Sequence, residues 1–223
     1  MIKGTNKIGY QESAQHAQAT YAFVAATLES LPEAFHPATG EEVDQAAQKA
    51  AKAFPIYRAL ALRQRAEFLR AIADEIEALG SELIERVMVE SGLPEGRVTG
   101  ERGRTTGQLR LFADFIEEGS WVEAIIDPAM PDRKPLPRVD IRQMLQPVGP
   151  VVVFTASNFP LAFSTAGGDT ASALAAGNPV IVKAHESHLG TNDLIAQAIL
   201  HAAQKTNMPD GVFSSLNSLG YEV

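Results

Sequence analysis

The sequence predicts an α/β protein in which an N-terminal helical layer precedes a doubly wound parallel sheet, with a projecting β-ribbon between them. Three observations lead there. Apolar residues recur at helical spacing from Gly40 to Gly119. Two alternating segments flank a proline-rich stretch between Trp121 and Leu145, and after Pro147 short β-branched runs alternate with helical ones. With 223 residues, 45% of them hydrophobic and 21% charged, the chain is long enough for a sizeable core and has a globular composition.

Taken in order, the first 35 residues carry one expected helix, Gln11 to Leu28. Thr39-Gly40-Glu41-Glu42 marks a helix start, with carboxylates at the positive end of the dipole. Val43, Ala46, Ala47, Ala50, Ala51 and Phe54 then repeat, and Pro55 is expected to end the run. Leu62, Ala66, Leu69, Ile72, Ala73 and Ile76 fall on one face of the next helix. Arg63, Arg65, Glu67, Arg70, Asp74, Glu75 and Glu77 fall mostly on the other, and Gly80 closes it. Ser81 is the candidate cap of a third helix that stops at Ser91-Gly92-Leu93-Pro94. A fourth runs from Arg97 to Glu118 and ends at Gly119.

Trp121 to Ile126 and Val139 to Leu145 read as strands joined through Pro128, Pro131, Pro135 and Pro137, a ribbon with one wet face. Val151-Val152-Val153-Phe154 reads as a strand buried on both faces, and Ala162 to Ala176 as a small-residue helix stopped by Gly177. Val180-Ile181-Val182 is a second strand, Thr191 to Ala203 a helix capped by Thr191, and Val212-Phe213 the start of a third strand. A sheet cut there leaves that third strand as an unpaired edge. Ligands of such sheets sit outside the carboxyl ends of the strands, which singles out Thr155 to Phe159 and Lys183 to His188.

Charge narrows the function classes. Nineteen Lys+Arg against 27 Asp+Glu give a net charge of −8, which disfavours nucleic acid and anionic membranes as partners. No apolar run approaches the ~18–20 residues that span a bilayer, and no signal-peptide core follows Met1, so a cytoplasmic location is expected. The chain contains no cysteine, which removes disulfides, thiolate metal sites and a cysteine nucleophile from these residues.

Asn158 leaves a buried strand close to a helix start. A side-chain amide there either donates to an oxygen gaining negative charge, as in an oxyanion hole, or only caps the following helix or holds a turn. Lys183 and Glu186 end the second strand. An ammonium and a carboxylate so placed grip a ribose diol, unless the lysine only snorkels outward beside a solvated glutamate. His185 and His188 lack companion ligands and read as loop histidines, so no metal site is expected. Arg97, Arg102, Arg104 and Arg110 read with Glu95 and Glu101 as a solvated mixed face. Ser172 lacks the G-x-S-x-G elbow of a serine nucleophile.

Longer strings carry a family resemblance. Pro147 to Phe154, then Asn158-Phe159-Pro160, then Gly177-Asn178-Pro179-Val180-Ile181-Val182-Lys183 resemble the aldehyde dehydrogenase superfamily. The runs Ala156 to Ser164, Ala166 to Gly177 and Lys183-Ala184-His185 look like the branch that oxidises 2,5-dioxovalerate, also called α-ketoglutaric semialdehyde. The resemblance begins near Tyr21 and implies the N-terminal part of such an enzyme, without its cysteine-bearing catalytic domain. By this likeness residues 1–120 are the helical part of the nucleotide-binding domain, 121–146 an oligomerisation ribbon, and 147–223 the truncated α/β part.

The resemblance also implies roles. Asn158 becomes the oxyanion-hole amide, while Lys183, His185 and Glu186 become cofactor contacts on the ribose side. Thr155, Ala156 and Ser157 line the nicotinamide side. The implied cofactor is NAD or NADP, with Glu186 favouring NAD, and the implied partners are a small aldehyde and further copies of the enzyme. In the family a cysteine thiolate attacks the aldehyde, the Asn amide holds the oxyanion, hydride passes to nicotinamide, and water hydrolyses the thioester. Two departures stand out. Ala156-Ser157 replaces the usual Pro-Trp, and the family's Gly-x-Gly turn is here Ser218-Leu219-Gly220.

Overall fold

The computed structural model describes residues 1–218 and residue 220, so Leu219 of the Ser218-Leu219-Gly220 turn lies outside the described residues. The N-terminal segment forms strands β1 (Asn6–Ile8), β2 (Gln11–Ser13), β3 (Thr20–Phe23) and β4 (Ser30–Phe35). The expected helix from Gln11 to Leu28 is therefore absent. Thr20-Tyr21-Ala22-Phe23 pairs antiparallel with β4, and Leu28 takes a left-handed conformation in the connecting turn. Fully buried Ala22 and Phe35 pack with Leu189, so cross-strand pairing and burial override helical propensity.

Four helices follow: α1 (Gly40–Arg58), α2 (Leu62–Ala78), α3 (Gly80–Ser91) and α4 (Glu95–Glu118). Thr39 caps α1 through a reciprocal hydrogen-bond pair with Glu42. Pro55 does not end this helix. It removes one ladder hydrogen bond, but the last turn is anchored by Tyr57, which is fully buried, packs edge-on against Phe68 and donates to the Leu174 carbonyl at 2.9 Å. Arg65 also departs from its expected face. It is buried, and its guanidinium donates to the Ala175 carbonyl at 3.1 Å. Ser81 caps nothing, since Leu79 is the residue before α3 and Ser81 lies within its first turn.

A short 3-10 turn at Ser120–Val122 replaces the beginning of the expected Trp121 strand, because Gly119 and Glu123 on either side turn the chain through left-handed conformations. The ribbon proper pairs β5 (Ile125–Asp127) with β6 (Ile141–Gln143), and both of its faces are open rather than one.

The α/β part contains β7 (Val151–Phe154), α5 (Gly168–Ala176), β8 (Val180–Lys183), α6 (Leu189–Lys205) and β9 (Phe213–Leu216). The helix expected from Ala162 begins only at Gly168. Residues 162–167 form a tight turn in which Gly168 N–H reaches the Ala162 carbonyl, and Ser164 and Thr165 donate to Asn192. A Cβ on Gly167 would meet the Ala162 carbonyl oxygen at 2.5 Å, so this approach requires glycine. Gly177 ends α5 with φ +100°, where a side chain would strike the Arg65 guanidinium.

The main sheet has the order β2-β1-β9-β8-β7. Its β7, β8 and β9 run parallel, and β1 runs antiparallel to β9. The expected unpaired edge at the third strand does not exist, because β1 occupies it. Buried Lys7 on β1 pairs with Asp193 of α6 at 2.8 Å, and Asn6 accepts from the Asn217 backbone at 2.9 Å. Among the described residues the open edge is β7, so the expected burial of Val151 to Phe154 on both faces does not hold: Val153 is buried, but Val152 and Phe154 are exposed because no strand lies beyond them. Val180 and Val182 join the core beneath α2, α4, α5 and α6, whereas Ile181 and Leu216 pack against Ala46 and Ala50 of α1. Helices thus cover both faces. Among the described residues no helix is long and apolar enough to cross a membrane.

Candidate functional site

The carboxyl ends of β7 and β8 lie in register, with Phe154 opposite Lys183. The next residue closes the pair: the Thr155 hydroxyl donates to the Lys183 carbonyl at 3.0 Å. The chain then turns outward through Ala156, Ser157 and Asn158. Asn158 is exposed and lies ten positions before α5, so it does not cap that helix. Among the described residues its side chain has no hydrogen-bond partner. Its amide is therefore available to a ligand.

Two buried side chains fix this loop. His188 is buried, and its Nε2–H donates to the Ala156 carbonyl at 2.9 Å, the only polarity a carbonyl permits. Glu101 of α4, also buried, accepts from the N–H groups of Leu161 and Ala162, each at 2.9 Å through the same Oε1. A second buried carboxylate, Glu90 of α3, accepts from the N–H groups of Gly190 and Thr191 and from the Thr191 hydroxyl. Thr191 is thus inside α6 rather than its cap. A cleft of about 240 Å³ opens where these parts meet, lined by Leu93, Ser157, Asn158, Ser187 and His188.

At the end of β8 the Lys183 ammonium sits 3.3 Å from the Glu186 carboxylate. Lys183 is largely buried and turned toward this partner rather than snorkelling into solvent, while about half of Glu186 is exposed. Burial pushes the Glu186 pKa up, but the hydrogen bond from its own backbone N–H, His185 and Lys183 outweigh it and hold the carboxyl below its ordinary value. His185 accepts at Nδ1 from the Ser187 N–H at 3.1 Å and stacks on His188 with ring centroids 5.6 Å apart. Burial is the main reason its pKa falls below the ordinary histidine value, so the ring is neutral near pH 7.

The structure therefore brings Thr155, Lys183, His185 and Glu186 together at one strand edge, and Ser157 and Asn158 into the adjoining cleft. Ala156 contributes its carbonyl as the acceptor for His188. Sequence reasoning missed Glu90, Glu101 and the burial of His188, for which a lone carboxylate or imidazole in a helical string gives no signal. The mixed arginine face is correct for Arg102, which donates to the Gly80 carbonyl, and for Arg110, which pairs with Glu77 and Asp74. Arg97 and Arg104 are exposed as expected and lie over the Phe159 and Phe163 rings, whereas Glu101 is buried and so departs from the solvated face.

An ammonium and a carboxylate side by side supply the donor and acceptor that a vicinal ribose diol requires, so these residues fit the sugar of a nicotinamide dinucleotide. Among the described residues no group of three His, Asp or Glu side chains is placed to hold a metal ion.

Comparison with known proteins agrees with this architecture. The family model described as "Aldehyde dehydrogenase family" matches residues 13–223. Alpha-ketoglutaric semialdehyde dehydrogenase 2 of Azospirillum brasilense is 62% identical over 182 residues, which are 82% of this chain and 35% of that protein. The Alpha-ketoglutaric semialdehyde dehydrogenase of Acinetobacter baylyi is 56% identical over the same shares of both proteins. The crystal structure of succinate-semialdehyde dehydrogenase from Burkholderia pseudomallei superposes with a TM-score of 0.81 at 28% identity, over 97% of this chain and 42% of that one. The chain thus spans about a third of the length of the curated relatives it matches. With the family model covering nearly all of its residues, the chain belongs to the aldehyde dehydrogenase family.

Proposed function

We propose that this chain supplies the oxyanion-holding amide and one side of the dinucleotide site of an aldehyde dehydrogenase acting on 2,5-dioxovalerate. The observation that carries the reading is the pair of in-register strand ends. They set the outward-turning Asn158 loop beside the Lys183–Glu186 pair at the carboxyl edge of a parallel sheet. The 62% and 56% identities to alpha-ketoglutaric semialdehyde dehydrogenases support this choice of substrate.

In this reading the Asn158 amide donates to the aldehyde oxygen as it gains negative charge. His188 and Glu101 hold the loop in advance, so no reorganisation is needed at the moment of reaction. Lys183 donates to, and Glu186 accepts from, the ribose hydroxyls, while Thr155, Ala156 and Ser157 border the nicotinamide end. When bound, the NAD or NADP cofactor accepts the electrons of the aldehyde. The nucleophilic thiol that the family uses is not among these 223 residues. Residues 1–120 and 147–223 act as parts of the nucleotide-binding domain and 121–146 as the oligomerisation ribbon. The exposure of Ile126 and Val139 supports this ribbon role. A homo-oligomer in the cytoplasm completes the reading.

Calorimetric titration of the 223-residue chain with NAD tests it. Lys183→Gln is expected to weaken binding about tenfold or more, the loss of one charge-assisted hydrogen bond. Equal binding by the variant overturns the assignment of Lys183.

A further inference from the structure

Helix α4 meets the Asn158 loop along a single stripe. Arg97, Glu101 and Arg104 stand at positions i, i+4 and i+7, which share one helix face. Glu101 is the buried middle of the stripe, bonded to the Leu161 and Ala162 amides. On either side a guanidinium covers an aromatic ring of the same loop. The Arg97 Cζ lies 4.6 Å from the Phe159 centroid and the Arg104 Cζ 5.0 Å from that of Phe163. The two rings pack edge to face at 4.9 Å. Phe159 directly follows Asn158, so this cationic and aromatic patch begins one residue from the oxyanion amide.

The two arginines differ in what already holds them. Arg97 lies 3.5 Å from the Glu101 carboxylate, which neutralises much of its field. Arg104 has no ion pair among the described residues. A guanidinium held over a ring and bonded to no carboxylate leaves its N–H groups free to receive one through two parallel hydrogen bonds. A semialdehyde derived from a dicarboxylic acid carries its carboxylate at the end opposite the aldehyde. An aldehyde group at Asn158 therefore leaves the carboxylate to be bound elsewhere on the same wall.

We propose that Arg104, supported by Arg97, receives the carboxylate of the semialdehyde and thereby selects carboxylated over plain aldehydes. The assignment rests on the reading of Asn158 as the oxyanion donor. Its test is separate, because it reads binding at the guanidinium and needs no turnover.

The experiment titrates the 223-residue chain with 2,5-dioxovalerate, and in parallel with pentanal, while following the arginine Nε–Hε resonances by NMR. The Arg104 resonance is expected to shift saturably with 2,5-dioxovalerate and to stay in place with pentanal. Arg104→Gln is expected to weaken the apparent affinity about tenfold, and Arg104→Lys to restore part of it. Three results each overturn the proposal: an equal response to pentanal, an equal response at solvent-exposed Arg63, or unchanged affinity in Arg104→Gln. The role of Asn158 is judged by the turnover of Asn158→Ala, so either assignment can fail while the other stands.

Discussion

The carboxylate of Glu101 holds the backbone N–H of Leu161 at 2.9 Å across 60 positions of sequence, and with the same oxygen it holds Ala162. This contact ties α4 to the loop that carries Asn158. Removing the acceptor leaves two buried donors without partners, at roughly 2–5 kcal/mol in total. Glu101→Ala is therefore expected to lower Tm by roughly 5–15 °C for a chain of this size. Glu101→Gln retains a carbonyl oxygen and is expected to lose less. Thermal melts of the two variants beside the parent check the ordering, and equal losses in both speak against the hydrogen bonds as the cause.

Asn158 makes the opposite prediction, because its side chain is exposed and holds nothing in the fold. In an enzyme that joins this segment to the cysteine-bearing part of the family, Asn158→Ala is expected to lower turnover by about a hundredfold to a thousandfold. Stability should stay within about 0.5 kcal/mol of the parent. Stability loss with intact turnover is the reverse pattern and rules the oxyanion role out.

The 223 residues alone are expected to oxidise no aldehyde. No cysteine is present, and among the described residues the hydroxyls that share the cleft with Asn158, those of Ser91, Ser157 and Ser187, have no side-chain base bonded to them. Incubation with 2,5-dioxovalerate and NAD should generate no reduced cofactor above background. Steady turnover refutes this.

Strand β7 supplies a prediction about solubility. Among the described residues it pairs only with β8, and its Val152 and Phe154 are 49% and 64% exposed, so an unpaired backbone row carries apolar side chains into solvent. Such an edge recruits other chains. The isolated chain is expected to self-associate at micromolar concentration, and Val152→Lys to reduce the association. Light scattering that is already monomeric in the parent contradicts the expectation.

Where the sequence was legible, the information was local. Val151 to Phe154 and Val180 to Val182 announce parallel strands by their β-branched runs, although only the second is buried on both faces, and Gly92, Gly119 and Gly177 mark helix ends through left-handed conformations that favour glycine. What stayed hidden depends on partners far along the chain. Strand β1 is three residues long and exists as part of the sheet because β9 lies beside it, some 200 positions on. Lys7 is buried only because Asp193 meets it. Pro55 signalled a helix end, yet the Tyr57 anchor to Leu174 holds the final turn. The Asn158 and Lys183–Glu186 positions were legible at the strand ends. The buried carboxylates that rigidify their surroundings were not, since Glu90 and Glu101 act on backbone amides that no side-chain pattern records.

Cofactor choice gives the last prediction. The Glu186 carboxylate lies at the end of β8, paired with Lys183 at 3.3 Å, and its pKa is held below the ordinary value, so it is ionised near neutral pH. An ionised carboxylate accepts from the 2′-hydroxyl of NAD but opposes the doubly negative 2′-phosphate of NADP. His185 offers no relief, because burial lowers its pKa and leaves it neutral there. Glu186→Gln removes the repulsion and retains an acceptor oxygen. In the enzyme that contains this segment, the variant is expected to raise kcat/KM for NADP relative to NAD. The parent preference should weaken as pH falls through the lowered Glu186 pKa, since protonation removes the same charge. The glutamine variant should show no such pH dependence of the ratio. A cofactor ratio unchanged by Glu186→Gln assigns the preference to other residues and leaves Glu186 as the ion-pair partner of Lys183 alone.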